Sequence, residues 1–178
     1  MRSFEAPGIK LYQLPKQLKI FLAAFVFLLS SAVATGLIFL YHTTSYQPEK
    51  AVEHYNGSPQ NPADEFEIPE KYEKPIGELL ITTHNHLFGF SFIFLALGGI
   101  FWFNSTLNGF WKGFFMIEPL FSTLFTFGGI WLVRFVDPSF IYLTVLSSSL
   151  IYISFLVMVS VIFYDLLIKK DKITQSSK

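Results

Sequence analysis

The chain has 178 residues, of which 52% are hydrophobic, 19% aromatic and 15% charged, with 13 basic and 13 acidic side chains and a formal net charge of zero. That balance is too apolar for a soluble domain of this length, and the charges avoid four long stretches and crowd between them, as in a membrane protein. Cysteine is absent, which excludes disulfides, thiolate-held iron–sulfur clusters and a covalent c-type haem.

The segment 1–19 carries Arg2, Lys10, Lys16 and Lys19 against Glu5. The first apolar run, 20–41, follows it. Ala32-Val33-Ala34 resembles a signal-peptide cleavage site, but the run continues through Gly36, Leu37, Ile38, Phe39, Leu40 and Tyr41, which suits a retained span better than a mature N-terminus. Further runs cover 79–103, 111–133 and 139–164. Each of the four exceeds the roughly 20 apolar residues needed to cross a hydrocarbon core of about 30 Å. Unbroken runs of this length predict helices, since outer-membrane strands show alternating segments of about ten residues. The expected fold is all-α: a polytopic membrane four-helix bundle forming a single domain over 1–178.

Lysine and arginine crowd at the N-terminal segment, at Lys112 and at Lys169, Lys170, Lys172 and Lys178, against Lys50, Lys71, Lys74 and Arg134 on the other side. The positive-inside rule therefore predicts both termini in the cytoplasm. The connection 42–78 becomes an outer loop with eight acidic residues against three lysines, a net charge of minus five. Within it, the stretch from Pro48 to Gly57 predicts a short amphipathic helix, with Pro early, acids near the start and Gly at the stop, lying on the bundle. The stretch 58–75, rich in Pro, Asp and Glu, predicts an extended loop. Small residues at Ser30, Ala32, Ala34, Gly36, Gly98, Gly99, Gly128 and Gly129 are expected to let helices approach closely.

All four histidines fall on the predicted outer side: His42 ends the first span, His54 sits on the short helix, and His84 and His86 lie about 8 and 11 Å along the second span from Leu79. Ionisable side chains in a span are uncommon and by default functional candidates. At about 100° per residue, His84 shares a face with Ser91 and Gly98, whereas His86 points about 200° away. A regular helix cannot aim both at one metal, so the favoured arrangement has one ring ligating and the other hydrogen-bonded elsewhere. Imidazole is the common axial ligand of non-covalent haem, and helical bundles supply it from facing helices. His42 or His54 opposite His84 or His86 would hold a b-type haem, with Arg134 as a candidate propionate contact. The competing expectation for Arg134 is a local ion pair with Asp137 across the turn before Pro138.

The segment Thr83-His84-Asn85-His86-Leu87, with Gly77-Glu78-Leu79-Leu80, Thr44-Ser45-Tyr46-Gln47-Pro48 and His54-Tyr55-Asn56-Gly57, resembles a group of uncharacterised small four-helix bacterial membrane proteins. The resemblance covers the first two spans and their connection. It implies this architecture and the bacterial inner membrane, and carries no chemistry.

Glu118, before Pro119, lies on the order of 10 Å inside the third span. It is either a proton-handling group beside a quinone or a carboxyl satisfied by Lys112, Asn108 or water. Asp165 and the lysines after it are expected to anchor the last span. The preferred reading is a membrane electron-transfer subunit with haem b, linking the quinone pool to a periplasmic or membrane redox protein. The alternatives are a copper, zinc or iron site on His42, His54, His84 and His86 without haem, or a non-catalytic accessory subunit of a larger membrane complex. No nucleic-acid partner is expected.

Overall fold

The computed structural model of the chain describes residues 8–59 and 68–170. Arg2, Glu5, Asp64, Glu65, Glu67, Lys172 and Lys178, used above for orientation and loop charge, lie outside them, as does the middle of the expected 58–75 loop. Among the described residues four long helices carry the apolar runs: α1 (Lys16–Thr44), α3 (Ile76–Phe101), α4 (Gly109–Phe135) and α5 (Ile141–Phe163). With its flanking turns the last span covers Pro138–Ile168. The short helix α2 (Pro48–Asn56) lies in the first connection. The fold is an all-α, polytopic membrane bundle without strands among the described residues.

The helices overrun the apolar runs at most ends because hydrogen bonding continues into polar turns where hydropathy has already fallen. The exceptions are the end of α3 and both ends of α5, which lies inside the run 139–164 and is flanked there by short turns. The end of α3 has the clearest cause. Helix α3 stops at Phe101 because Asn104 Nδ2 donates to the Phe101 carbonyl (2.6 Å) while its Oδ1 accepts from the Thr106 and Leu107 amides (3.0 and 2.8 Å). One side chain thus satisfies orphan groups of the turn and fixes the α3–α4 connection.

The other ends have equally local causes. After α1, Ser45 and Tyr46 adopt left-handed φ of 50° and 57°, a conformation costly for side chains other than Gly. It is held by the Ser45 amide on the Tyr41 carbonyl (2.7 Å) and the Tyr46 hydroxyl on the Leu37 carbonyl (2.8 Å). Pro48 occupies the first turn of α2, and Gly57 closes it at φ 85°. A Cβ on Gly57 would meet Glu73 N at 2.9 Å and Lys71 O at 3.0 Å. Both the backbone angle and the crossing segment therefore require glycine there. Asp137 accepts from the Ser139 amide (2.8 Å) and opens the last span.

The chain packs as two compact units, each taking a piece of every long helix. The first comprises Met1–Ala32, Ser91–Leu120 and Leu150–Lys178. Its core includes Leu11, Val26, Leu97, Phe101, Met158 and Ile162, all fully or nearly fully buried. The second comprises Val33–Phe90 and Phe121–Ser149. There Leu79, Phe127 and Ile130 form a cluster against which Tyr55, Leu87, Phe90 and Trp131 pack. Gly129 lies so close to Thr144 Oγ1 that a Cβ would collide with it, the close helix approach expected of small residues, whereas a Cβ on Gly36, Gly98, Gly99 or Gly128 would meet nothing within 4 Å.

Candidate functional site

The second unit carries all four histidines. On α3 the side chains of His84, Asn85 and His86 are all exposed, although they sit about 12 to 15 Å along the helix from Ile76. The two rings diverge. His84 stacks on Phe88 one turn on (6.0 Å between ring centroids), whereas His86 lies against Phe127 of α4 (4.9 Å) and Phe90 (6.2 Å). The neighbouring Thr83 hydroxyl accepts from Trp131 Nε1 at 2.9 Å, tying this turn of α3 to α4.

His86 Nδ1 lies 2.8 Å from the Thr82 carbonyl oxygen. A carbonyl only accepts, so Nδ1 carries the hydrogen and Nε2 presents a lone pair. Metal-ligating histidines commonly have this second contact, which fixes tautomer and ring orientation.

His42, at the end of α1, is exposed and lies edge-on to Tyr41 (5.8 Å). His54, on α2, is half-buried and edge-on to Tyr55 (5.1 Å). Burial, and then the positive charges of Lys74 and Lys71, push the His54 pKa below its ordinary value against the opposing pull of Glu78. Burial likewise pushes Tyr55 up to about 12, as its ring joins the apolar cluster. Asn56 Nδ2 donates to the Val133 carbonyl (3.1 Å). Thus α2 is docked into the unit by adjacent aromatic and amide side chains. No three His, Asp or Glu side chains group as a metal cage among the described residues.

Arg134 does not pair with Asp137 as the local expectation had it. Its Nη2 meets Glu73 at 2.7 Å, and its guanidinium lies 5.1 Å from the Phe135 ring centroid. Asp137 is turned to Ser139, whose hydroxyl and amide hold the carboxylate below the usual range. The difference arises because residues 71–74 cross α2, with Ser58 N on Lys71 O and Lys74 N on Tyr55 O (both 2.9 Å). That crossing brings Glu73 to Arg134 from 61 positions away, which no local pattern reveals. Glu53 is held low by the Ser58 hydroxyl and then by Lys71, with burial opposing.

In the first unit, Glu118 on α4 is hydrogen-bonded by the buried Ser154 hydroxyl of α5. Asp165 is fully buried and not an anchor at the surface. It lies in a π-helical turn, Tyr164–Ile168, and accepts from Ser105 N (2.5 Å), Ser105 Oγ (2.8 Å) and Thr106 Oγ1 (2.8 Å). Lys112 is also fully buried, with Nζ 3.3 Å from the Asn104 carbonyl and 5.3 Å from the Trp102 ring centroid. Lys169 donates to Ser105 Oγ (2.8 Å) and sits over Tyr12 (5.3 Å). The sequence reading missed this cluster. Its one signal was the polar run Asn104-Ser105-Thr106 facing an acid at the end of the last span.

Long apolar helices with polar groups satisfied at their ends define a multi-pass helical membrane protein. Residues 45–173 match the profile of the Aq_1264_TM family, described as a transmembrane helical domain. The match covers more than half of the chain, which belongs to that family. No curated protein and no solved structure matches the chain.

Proposed function

We propose that this chain is a membrane electron-transfer subunit that holds a b-type haem through His86. The observation supporting the reading is the His86 ring itself: Nδ1 hydrogen-bonded to the Thr82 carbonyl, the plane packed on Phe127, and Nε2 left as a lone pair on an exposed side chain. Haem asks a protein for one or two imidazoles and an apolar surround. A protein-caged copper, zinc or iron ion asks for three or four ligands that converge. Four histidines spread over three helices favour the first demand. His42, His54 and His84 are candidates for a second residue that would hold the haem, and Arg134 for a propionate contact. Electrons would pass between quinone and a periplasmic or membrane redox protein. Glu118 is the candidate for handling the proton that quinone chemistry requires.

In this reading the chain sits in a bacterial inner membrane with both termini cytoplasmic, which places α2 and the histidines on the periplasmic side. The T-H-x-H segment would then be the functional signature of the group it resembles. A second reading, an accessory subunit of a larger membrane complex, is favoured by the low burial of two helices. Only 6% of the most apolar window of α1 and 11% of that of α3 is buried, against 44% in α4 and 39% in the last span.

The test is a reduced-minus-oxidised spectrum of the protein purified from cells supplied with haem. A b-type band present in the wild type and lost in His86→Ala, with helicity unchanged, is the expected result. A purified wild type without haem refutes it, and co-purifying large subunits in that sample select the accessory reading.

A further inference from the structure

We propose that the α3 face carrying Ile81, His84, Asn85 and Phe88 docks against the same face of a second copy of this chain, with the two Asn85 carboxamides hydrogen-bonded to each other. The inference does not rest on the haem reading. Asn85 is exposed and makes no hydrogen bond among the described residues. It lies nine residues beyond Ile76, about 13 Å along the helix, within a span. A carboxamide facing acyl chains has donors and acceptors that lipid cannot satisfy, so the group requires a polar partner.

The self-complementarity of the carboxamide argues for a second copy, and two further features shape the face for close packing. A carboxamide carries donor and acceptor together, so two of them across a two-fold axis satisfy each other reciprocally, as isologous contact requires. The residues one turn to either side are large, apolar and exposed, Ile81 at 64% and Phe88 at 60%, and pack around the amide pair. Further, the His84 ring lies flat on Phe88 with an interplanar angle of 20°, so this flank presents a continuous ring surface. The opposite side of α3 is already occupied: Leu79 is in the apolar cluster and Thr83 holds Trp131.

Because the chain has no cysteine, single substitutions report the face directly. In isolated membranes of the full chain, Ile81→Cys and Phe88→Cys should form a disulfide-linked product of twice the chain mass under mild oxidation. Phe121→Cys on α4, equally exposed at 58%, should not. In reconstituted vesicles, Förster transfer between donor- and acceptor-labelled copies should persist on dilution with lipid for the wild type and Asn85→Gln. Asn85→Leu should weaken association on the order of tenfold, the scale of one or two interhelical hydrogen bonds in a membrane. The proposal is overturned by cross-linking at Phe121→Cys as ready as at Ile81→Cys, by no cross-link at either α3 position, by a product containing another protein, or by an association that Asn85→Leu leaves unchanged. The cysteine variants retain Asn85, so the face is tested even where Asn85→Leu disturbs folding.

Discussion

Replacing Asp165 with alanine tests whether the polar knot of the first unit holds the α3–α4 turn in place. The carboxylate is fully buried and accepts three hydrogen bonds, from the Ser105 amide, the Ser105 hydroxyl and the Thr106 hydroxyl. Each charge-assisted bond contributes roughly 1.5 to 3 kcal/mol, and removing one partner of a buried charged group commonly costs about 3 to 5 kcal/mol. The two hydroxyls can rotate to other acceptors, whereas the Ser105 amide cannot, so the lower end, about 3 kcal/mol, is expected for Asp165→Ala. Asp165→Asn keeps one oxygen for the amide and should lose only about 1 to 2 kcal/mol. Unfolding in mixed micelles of a mild detergent and dodecyl sulfate, followed by far-ultraviolet circular dichroism, measures both. In the double variant with Ser105→Ala, the loss should fall short of the sum of the two single losses, because both remove the same contact. An Asp165→Ala protein within roughly 0.5 kcal/mol of the wild type, the scale of an inconsequential surface change, would refute the reasoning.

Gly129→Ala should destabilise by about 1 to 3 kcal/mol in the same titration, since the new methyl collides with Thr144 Oγ1. Gly36→Ala, which meets nothing within 4 Å, should be neutral or stabilise by up to about 1 kcal/mol through helix propensity. Because the folded-state pKa of His54 is depressed below 6.5, the unfolded chain binds more protons below that pH. The docking of α2 should therefore be fully present above pH 6.5 and weaken as pH falls toward the folded value, seen as faster amide exchange at Tyr55–Gly57 and flattened in His54→Gln. Arg134→Gln should cost no more than about 1 kcal/mol in the micelle titration, since the Glu73 partner is 65% exposed and solvent screens the pair.

The four spans, the short helix and its closing glycine were legible because each is written in a local pattern. Long apolar runs have one solution in lipid, and Pro48 and Gly57 mark the ends of α2 by backbone geometry alone. The divergence of His84 and His86 was equally legible, since 100° per residue fixes it. What escaped were contacts between distant segments. Arg134 and Asp137 are three residues apart and oppositely charged, yet Arg134 reaches Glu73, because the crossing of residues 71–74 over α2 is a tertiary event. Asp165 read as an anchor because acids near span ends usually face water, whereas Ser105 and Thr106, 60 and 59 positions earlier, supply it with donors.

Polar side chains inside a span divide by whether the chain itself satisfies them. Asp165 has Ser105 and Thr106, Lys112 has the Asn104 carbonyl and Trp102, Glu118 has Ser154, and Thr126 has Ser147 at 2.9 Å. For these groups, holding helices and turns together is sufficient reason to be there. The segment His84-Asn85-His86 differs: all three side chains are exposed, and the internal contacts of the polar groups stop at one Nδ1–carbonyl bond and ring stacking. His86 still packs on Phe127 of α4, whereas Asn85 makes no hydrogen bond or ring contact among the described residues. The haem and self-association proposals assign the segment to something outside the single chain, and the chemistry of the groups divides that assignment. The Nε2 of His86 suits a metal centre, whereas the carboxamide of Asn85 suits another carboxamide. That division is why Asn85→Leu should affect association without removing a His86-dependent haem band, and His86→Ala the reverse.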